Sequence, residues 1–386
     1  MSSSEVVRPL DGFRVLDFTA NIAGPLAGQV LADLGAEVVK VEAPAGEAAR
    51  HITGTRAGEE DLRPYFVSNN RGKKSVVADL HTTGGVARVL DLVETADVLL
   101  DGFRPGTMEA WGCGPSAVGE RNPHCVYVAI TGYGGNGPAG HRPAVDLMIQ
   151  AESGILTGLV APDGRPQILG FQLVDGATGH VVAQAVLAAL LHRERHGVTS
   201  TVNVAMYDVA ASLQANRLTA ALHRQRHPAP AAGRAEGAAP FALAPSGVFR
   251  AADGYFVLAA YVPKHWRTLV EVLAVPGLGE DERFADQLSR ARHNAALLDE
   301  LDAVFATRSR DVWLAALQQA GLMATAVSSW AEAAASEVFG ENELAVTVVD
   351  GSRAARTVRT PARYGSFGPG AEPRTPALGE HDHELF

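Results

Sequence analysis

Leu10-Asp11-Gly12-Phe13-Arg14-Val15-Leu16-Asp17-Phe18-Thr19-Ala20-Asn21-Ile22-Ala23-Gly24-Pro25 decides how this chain is read. Residues 13–19 form a short apolar run of strand character. Residues 20–25 form a turn, and Pro25 suits the first position of a following helix. That helix runs to about Leu34 and stops at Gly35, and Glu37-Val38-Val39-Lys40-Val41-Glu42 is the next strand. Strands are also expected at residues 75–80, 97–100 and 125–130, with helical segments between them. Regular alternation of this kind predicts an α/β fold with a parallel, doubly wound sheet. The turn after the first strand is not GxGxxG, so the glycines that hold a dinucleotide pyrophosphate are missing.

Composition sets wider bounds. The chain has 386 residues, 47% hydrophobic, with a formal net charge of −10 and a mean hydropathy of +0.03. That length suffices for two domains and a substantial core. The acidic balance argues against a nucleic-acid partner, which asks for a basic face. The first nine residues, Met-Ser-Ser-Ser-Glu-Val-Val-Arg-Pro, carry no apolar signal core. No uninterrupted apolar run approaches the roughly 20 residues that span a bilayer, so no membrane partner is expected. Cys113 and Cys125 stand twelve apart without metal-ligand spacing. They read as reduced thiols of a cytoplasmic protein.

Residues 224–240 are rich in Ala, Gly and Pro and mark a linker. Beyond them, residues 247–250 and 255–260 bracket Ala251-Ala252-Asp253-Gly254 as strand, tight turn and strand. Helical segments follow near residues 265–273, 295–307 and 310–320, so this block reads as a small α+β unit. From about Ala326 the chain reads as extended and rich in Pro and Gly. The expected division is residues 1–222, 223–325 and 326–386.

Asp175 heads a long apolar stretch that ends in His192-Arg193-Glu194-Arg195-His196-Gly197. This reads as a buried helix with an acid at its start and a glycine stop, the carboxylate being held ionised by the helix's positive end. Such a carboxylate serves either as a helix cap or as a nucleophile bordered by small residues.

Several blocks together resemble the class III CoA-transferase family, the CaiB/BaiF type, which includes formyl-CoA and carnitine CoA-transferases and the α-methylacyl-CoA racemases. They are residues 10–19 with Ala23-Gly24-Pro25 and residues 34–42; Asn70-Arg71-Gly72-Lys73-Lys74-Ser75; Ala96-Asp97-Val98 with Phe103-Arg104-Pro105-Gly106; Thr131-Gly132-Tyr133-Gly134 with Gly137-Pro138; the Asp175 segment with residues 201–206; and Leu378-Gly379-Glu380-His381. They follow the family's order over nearly the whole chain. The resemblance implies a Rossmann-like large domain built from both chain ends, a small middle domain, and two interlocked copies. It implies coenzyme A or an acyl-CoA as substrate rather than as a bound cofactor, with a carboxylic acid as the other partner.

In that family the nucleophile is an Asp at the position of Asp175, with Gly176 and Gly179 leaving room for the thioester and nearby backbone N–H groups stabilising oxyanions. Asn21, Ile22 and Ala23 match the segment lining the CoA thiol arm. Arg71, Lys73 and Lys74 are candidates to grip phosphate, or a solvated basic loop. Arg104 and Phe103 are either CoA contacts or loop structure and packing, and Met206 is either a pocket residue or core. Two departures narrow the reading. The racemases need a second acid/base, and Val145, next to Asp146, stands where their His would be; His141 lies four positions away. Valine cannot transfer a proton. The formyl-CoA enzymes have His and Gln where this chain has Ala20 and Ile22, which makes the acyl end less polar than one built for oxalate. A glycine-run lid is also missing, residues 224–240 with Gly233 and Gly237 being the nearest flexible segment. The expected activity is acyl-CoA:carboxylate CoA transfer through an aspartyl intermediate; a racemase-type isomerase and a non-catalytic CoA-binding relative are the alternatives.

Overall fold

A computed structural model describes residues 7–54, 62–135, 137–161, 163–226, 244–260 and 262–386. Most of the expected 224–240 linker, including Gly233 and Gly237, lies outside them. Contacts divide the chain into residues 1–231 with 342–386, and residues 232–341.

The larger unit is organised on six parallel strands in the order β3-β2-β1-β4-β5-β6. The chain passes β1 (Arg14–Phe18), α1 (Ala23–Asp33), β2 (Glu37–Glu42), α2 (Pro64–Asn69), β3 (Lys74–Val77), α3 (Thr83–Val93) and β4 (Val98–Asp101). It continues through α4 (Thr107–Ala110), α5 (Pro115–Arg121), β5 (Val126–Thr131), α6 (Asp146–Glu152), α7 (Leu173–His196), β6 (Val202–Ala205) and α8 (Met206–Leu213). β1 is the central strand, pairing with both β2 and β4. Val15, Leu16, Asp17 and Phe18 are all buried, as expected of a strand covered on both faces. Strand order reverses between β1 and β4, and in such sheets ligands bind beyond the strand ends at that switch.

One core lies under α1 and α7, where Val15, Leu31, Val98, Val128, Val182 and Val186 are fully buried. Each such side chain contributes about 1.5–3 kcal/mol. The other lies on the opposite face, around Leu16, Val39, Val76, Leu99 and Met108. α7 is apolar and long enough, at 24 residues, to cross a membrane by length and composition, which the interrupted sequence run did not suggest. Its apolar residues contribute to the core under α1. Its expected glycine stop is present: Gly197 has φ +66° and donates to the Arg193 carbonyl at 2.7 Å. Gly35, φ +106°, ends α1 in the same way. Pro25 stands third in α1 rather than first, where its missing N–H still costs no helical bond.

The C-terminal segment of this unit contributes β10 (Ala345–Asp350), antiparallel to β11 (Arg353–Val358) and parallel to β12 (Arg374–Thr375). Beyond it the chain covers the outer edge of β3. His381 N–H donates to the Ser75 carbonyl at 2.9 Å, and Val77 N–H donates to Asp382 Oδ1 at 2.8 Å.

The smaller unit carries an antiparallel sheet, β7 (Ser246–Arg250), β8 (Tyr255–Ala259) and β9 (Met323–Ala326), in that order. The expected turn is closed by Ala251 N–H on the Gly254 carbonyl at 2.8 Å. Phe256, Phe305 and Trp313 stack edge to face in its core, with centroids 4.9 and 5.2 Å apart. Contacts carry this unit to 341 rather than 325, because β9 pairs with β8 and two short helices follow, Trp330–Ala334 and Glu337–Glu341. The extended reading from Ala326 fails there: Ser329 and Glu332 form a capping box that starts the first helix.

Candidate active site

A cavity of about 730 Å³ opens beyond the ends of β1 and β4, lined by Thr19 after β1 and Gly102 after β4. Its floor is the turn between β1 and α1. Gly24 packs so closely on Thr19 that a Cβ would stand 2.3 Å from the Thr19 Cβ. Asn21 takes a left-handed φ of +68°, which Asn tolerates better than most residues. Its N–H donates to Glu47 Oε2 at 2.7 Å.

Beneath the turn lies a buried set of three carboxylates and three cations: Asp17, Glu42, Glu47, Lys40, Arg50 and Lys73. Lys40 bridges Glu47 at 2.9 Å and donates to the Thr19 carbonyl at 2.8 Å. Lys73 donates to Asp17, the Pro25 carbonyl and Asn70 at 2.8–2.9 Å. Arg50 forks onto both oxygens of Glu42 at 2.7 Å. Burial pushes the Asp17 carboxyl up, but Lys73 and Lys40 outweigh it and hold the group far below the usual range. Burial takes the Lys73 ammonium down to about 8 against the pull of Asp17.

Asp175 is the third residue of α7 and lines the cavity. It is not the cap of that helix. Asp146, the first residue of α6, does that work: its Oδ2 accepts the Val174 N–H at 2.7 Å and the Asp175 N–H at 2.9 Å. Its Oδ1 accepts from Gln150. The helix's positive end is therefore satisfied by a neighbouring carboxylate. No hydrogen bond from a described residue reaches the Asp175 carboxylate. Burial, and then the charge of Asp146, push it up to about 7. The expectation that the helix end keeps Asp175 strongly acidic is thus reversed. The expected oxyanion donors are also spent: Val174 and Asp175 on Asp146, and Gly176 on the Gln172 carbonyl at 3.1 Å. Gly176 borders open space, but Gly179 serves packing, since a Cβ there would lie 2.8 Å from the Ala23 carbonyl of α1.

The other candidates divide. Asn21, Ile22, Ala23, Phe103, Arg104 and Met206 line the same cavity as Asp175. Arg104 is exposed and has no ion pair among the described residues. Phe103 sits edge-on to Trp111 at 5.0 Å, so it packs as well as lines. Met206 is 8% exposed and shares a small core with Ile149 and Val174. Arg71, Lys73 and Lys74 are not at the cavity, and each is committed to carboxylates: Arg71 to Asp33, Lys73 to Asp17, and Lys74 to Glu37 and Glu384. Burial outweighs attraction in the Arg71–Asp33 pair, raising Asp33 and lowering Arg71. Arg71 and Lys73 are interior struts and Lys74 makes a half-buried pair at the sheet edge, roles that their sequence spacing does not reveal. His141 is exposed and does not line the cavity, whereas Val145 and Asp146 do. Sequence reading missed Arg142, Tyr65 and Gln172 as lining residues. Tyr65 accepts from Gln172 Nε2 at 3.0 Å across 107 positions, a pairing that no local pattern encodes.

Residues 10–382 match the model of CoA-transferase family III. The probable fatty acyl-CoA transferase Rv3272 of Mycobacterium tuberculosis is 53% identical over 99% of this chain and 98% of its own length. The crystal structure of its D175A mutant superposes with a TM-score of 0.87 over 99% of both chains, at 50% identity. The succinate–glutarate CoA-transferase of Agrobacterium fabrum is 31% identical over 98% of this chain and 95% of its own. A CAIB/BAIF family protein from Brucella suis, 31% identical, covers 98% of this chain and 100% of its own with a TM-score of 0.84.

Proposed function

The chain belongs to CoA-transferase family III, and from that membership we propose that it moves coenzyme A from an acyl-CoA to a carboxylic acid with Asp175 as nucleophile. The observation that carries this reading is the Asp175 carboxylate itself, free of described hydrogen-bond partners and partly desolvated in the cavity. A carboxyl raised to about 7 is about half ionised at neutral pH, and its ionised form is more basic than an ordinary carboxylate, which makes it the better nucleophile.

The steps balance without water or redox change. An Asp175 oxygen attacks the thioester carbonyl and expels the CoA thiolate, leaving an acyl-aspartyl anhydride. The thiolate attacks the aspartyl carbonyl of that anhydride, releasing the donor acid and forming an aspartyl-CoA thioester. The acceptor carboxylate attacks that thioester and frees the thiolate again. Attack of the thiolate on the acceptor's acyl carbonyl yields the new acyl-CoA and restores the Asp175 carboxylate. In this reading Asn21, Ile22 and Ala23 flank the thiol arm, and Arg104 and Phe103 meet the nucleotide end. Asp146 positions Asp175 and keeps it basic. Two buried free thiols, Cys113 and Cys125, fit a reducing cytoplasm. Two interlocked copies, as the resemblance implies, complete the assembly, which light scattering tests.

Trapping tests the covalent step. After incubation with acyl-CoAs, hydroxylamine should convert the Asp175 peptide to its hydroxamate, detected by mass spectrometry. CoA transfer that proceeds with no adduct on Asp175, or that survives in Asp175→Asn, overturns the reading.

A further inference from the structure

An acid that meets Asp175 as a carboxylate enters a cavity already lined by the carboxyl groups of Asp146 and Asp175. Like charges brought together away from bulk water repel, so such a partner needs a cation within reach. Among the described residues the lining cations are Arg104 and Arg142. The proposed function gives Arg104 to the nucleotide, which leaves Arg142 for the acid.

Arg142 lies in the loop between β5 and α6, four positions before Asp146, whose carboxylate accepts the Asp175 N–H. The loop is held close at its base, where a Cβ on Gly132 would stand 2.1 Å from the Ala144 Cβ. Within it, the Arg142 N–H donates to the Ala139 carbonyl at 3.0 Å. The backbone is thus fixed at the cavity wall, and the guanidinium is the part free to turn. It lies 4.4 Å over the Tyr133 ring and pairs with Glu152, the last residue of α6. The Arg142 and Glu152 side chains are 49% and 39% exposed. An ion pair so open to water is weak, so another carboxylate can replace Glu152 at small cost. The guanidinium offers a fork of N–H donors that matches a carboxylate. Glu152 is not part of the cavity lining; it holds that fork in the place of a substrate.

We propose that Arg142 docks the acid partner: its guanidinium leaves Glu152 and takes the carboxylate of the acceptor before attack, and that of the donor acid as it departs. The inference rests on the transferase reading of Asp175 and adds to it the residue that recognises the acid. No covalent bond changes in the exchange; Arg142 keeps its proton and the Glu152 carboxylate returns to water. Substitutions at the two ends of this one ion pair then act in opposite directions. Arg142→Gln removes the docking cation and lowers kcat/KM for the acceptor acid by at least about tenfold. Glu152→Gln removes the competitor and raises the same kcat/KM by about twofold to fivefold. A pair that only held the loop would give the same sign from either end.

The experiment measures CoA transfer by the full chain and these variants from acetyl-CoA, octanoyl-CoA and succinyl-CoA to propionate, hexanoate and glutarate, following each thioester by mass spectrometry. In parallel, hydroxylamine traps Asp175 during incubation with acyl-CoA alone, before any acceptor carboxylate is present. The expected result is opposite shifts in kcat/KM for the acceptor, with the trapping rate within about twofold of wild type in both variants. Arg142→Lys, which keeps the charge without the fork, should fall between wild type and Arg142→Gln. Losses of the same sign in Arg142→Gln and Glu152→Gln make the pair structural and overturn the inference. So does a trapping rate in Arg142→Gln that needs more acyl-CoA to saturate while the acceptor kcat/KM holds, since Arg142 then serves coenzyme A. Both of those results leave the transferase reading standing. No transfer by the wild type to any acid overturns both.

Discussion

Of the two roles expected of one acid at a helix start, the cap falls to Asp146, which leaves Asp175 to the proposed attack. Asp146 takes the helix amides and Asp175 is left with its charge poorly compensated. kcat/KM for CoA transfer should therefore rise with pH up to about 7 and stay level above it, because the ionised carboxylate attacks. Replacing Asp146 by Asn removes the neighbouring charge and weakens the cap. The apparent pKa of activity should drop toward the ordinary carboxylate range, and stability should fall by about 1–3 kcal/mol, read from a pH–rate profile and urea melts. Asp175→Asn should abolish at least about a thousandfold of the activity while stabilising the fold. The native carboxyl keeps its proton up to about 7, whereas the unfolded one loses it near 4. The cost to the native state thus grows between those values and is complete above 7. The gain in Asp175→Asn should be absent at pH 4 and on the order of 2–4 kcal/mol at pH 8. That Asp175 stands in the first turn of a long apolar helix was legible in the sequence. The cap was not, because the acid that supplies it lies 29 positions upstream, in α6.

α1 and α7 meet through small residues, and the two glycines after Asp175 have opposite uses. Gly179→Val puts carbon 2.8 Å from the Ala23 carbonyl and 2.9 Å from the Leu26 Cβ. It should destabilise by about 1–3 kcal/mol, and activity should fall with it, since α1 starts at the cavity. Gly176→Ala meets nothing within 4 Å and should gain about 0.5–1 kcal/mol of helix stability. Thermal melts of the pair separate packing from propensity. At this scale the strands of the large sheet were legible because Val, Leu, Ile and Phe dominate them, even where a buried paired charge such as Asp17 or Lys40 interrupts the run. β6 was not read as a strand: Val202–Ala205 has four residues, one of them Asn203, and gains its place only by pairing with β5. The basic block before β3 shows the reverse failure. Its charges invited a phosphate, but their partners, Asp17, Asp33, Glu37 and Glu384, come from segments far away in sequence.

Across the larger unit, the far end of the chain protects the sheet by closing the edge at β3, where unpaired backbone would otherwise face solvent. A chain ending at Leu378 loses the His381 and Asp382 bonds to β3 and the Lys74–Glu384 pair. Its melting free energy should drop by about 3 kcal/mol, with aggregation on heating visible by light scattering. This closure and the later boundary of the smaller unit share a cause: both depend on contacts between distant segments, which periodicity does not report. The six charged groups under the cavity floor have a consequence for how such a protein changes over time. With three of each sign shut away from water, the set behaves as a closed ledger in which no single charge is dispensable. Lys40→Met strands Glu47 and should cost about 3–5 kcal/mol, whereas Lys40→Met with Glu47→Leu should recover most of that loss. Inheritance at these positions is then expected to proceed in couples, an alteration at one member persisting only where its opposite number has altered too.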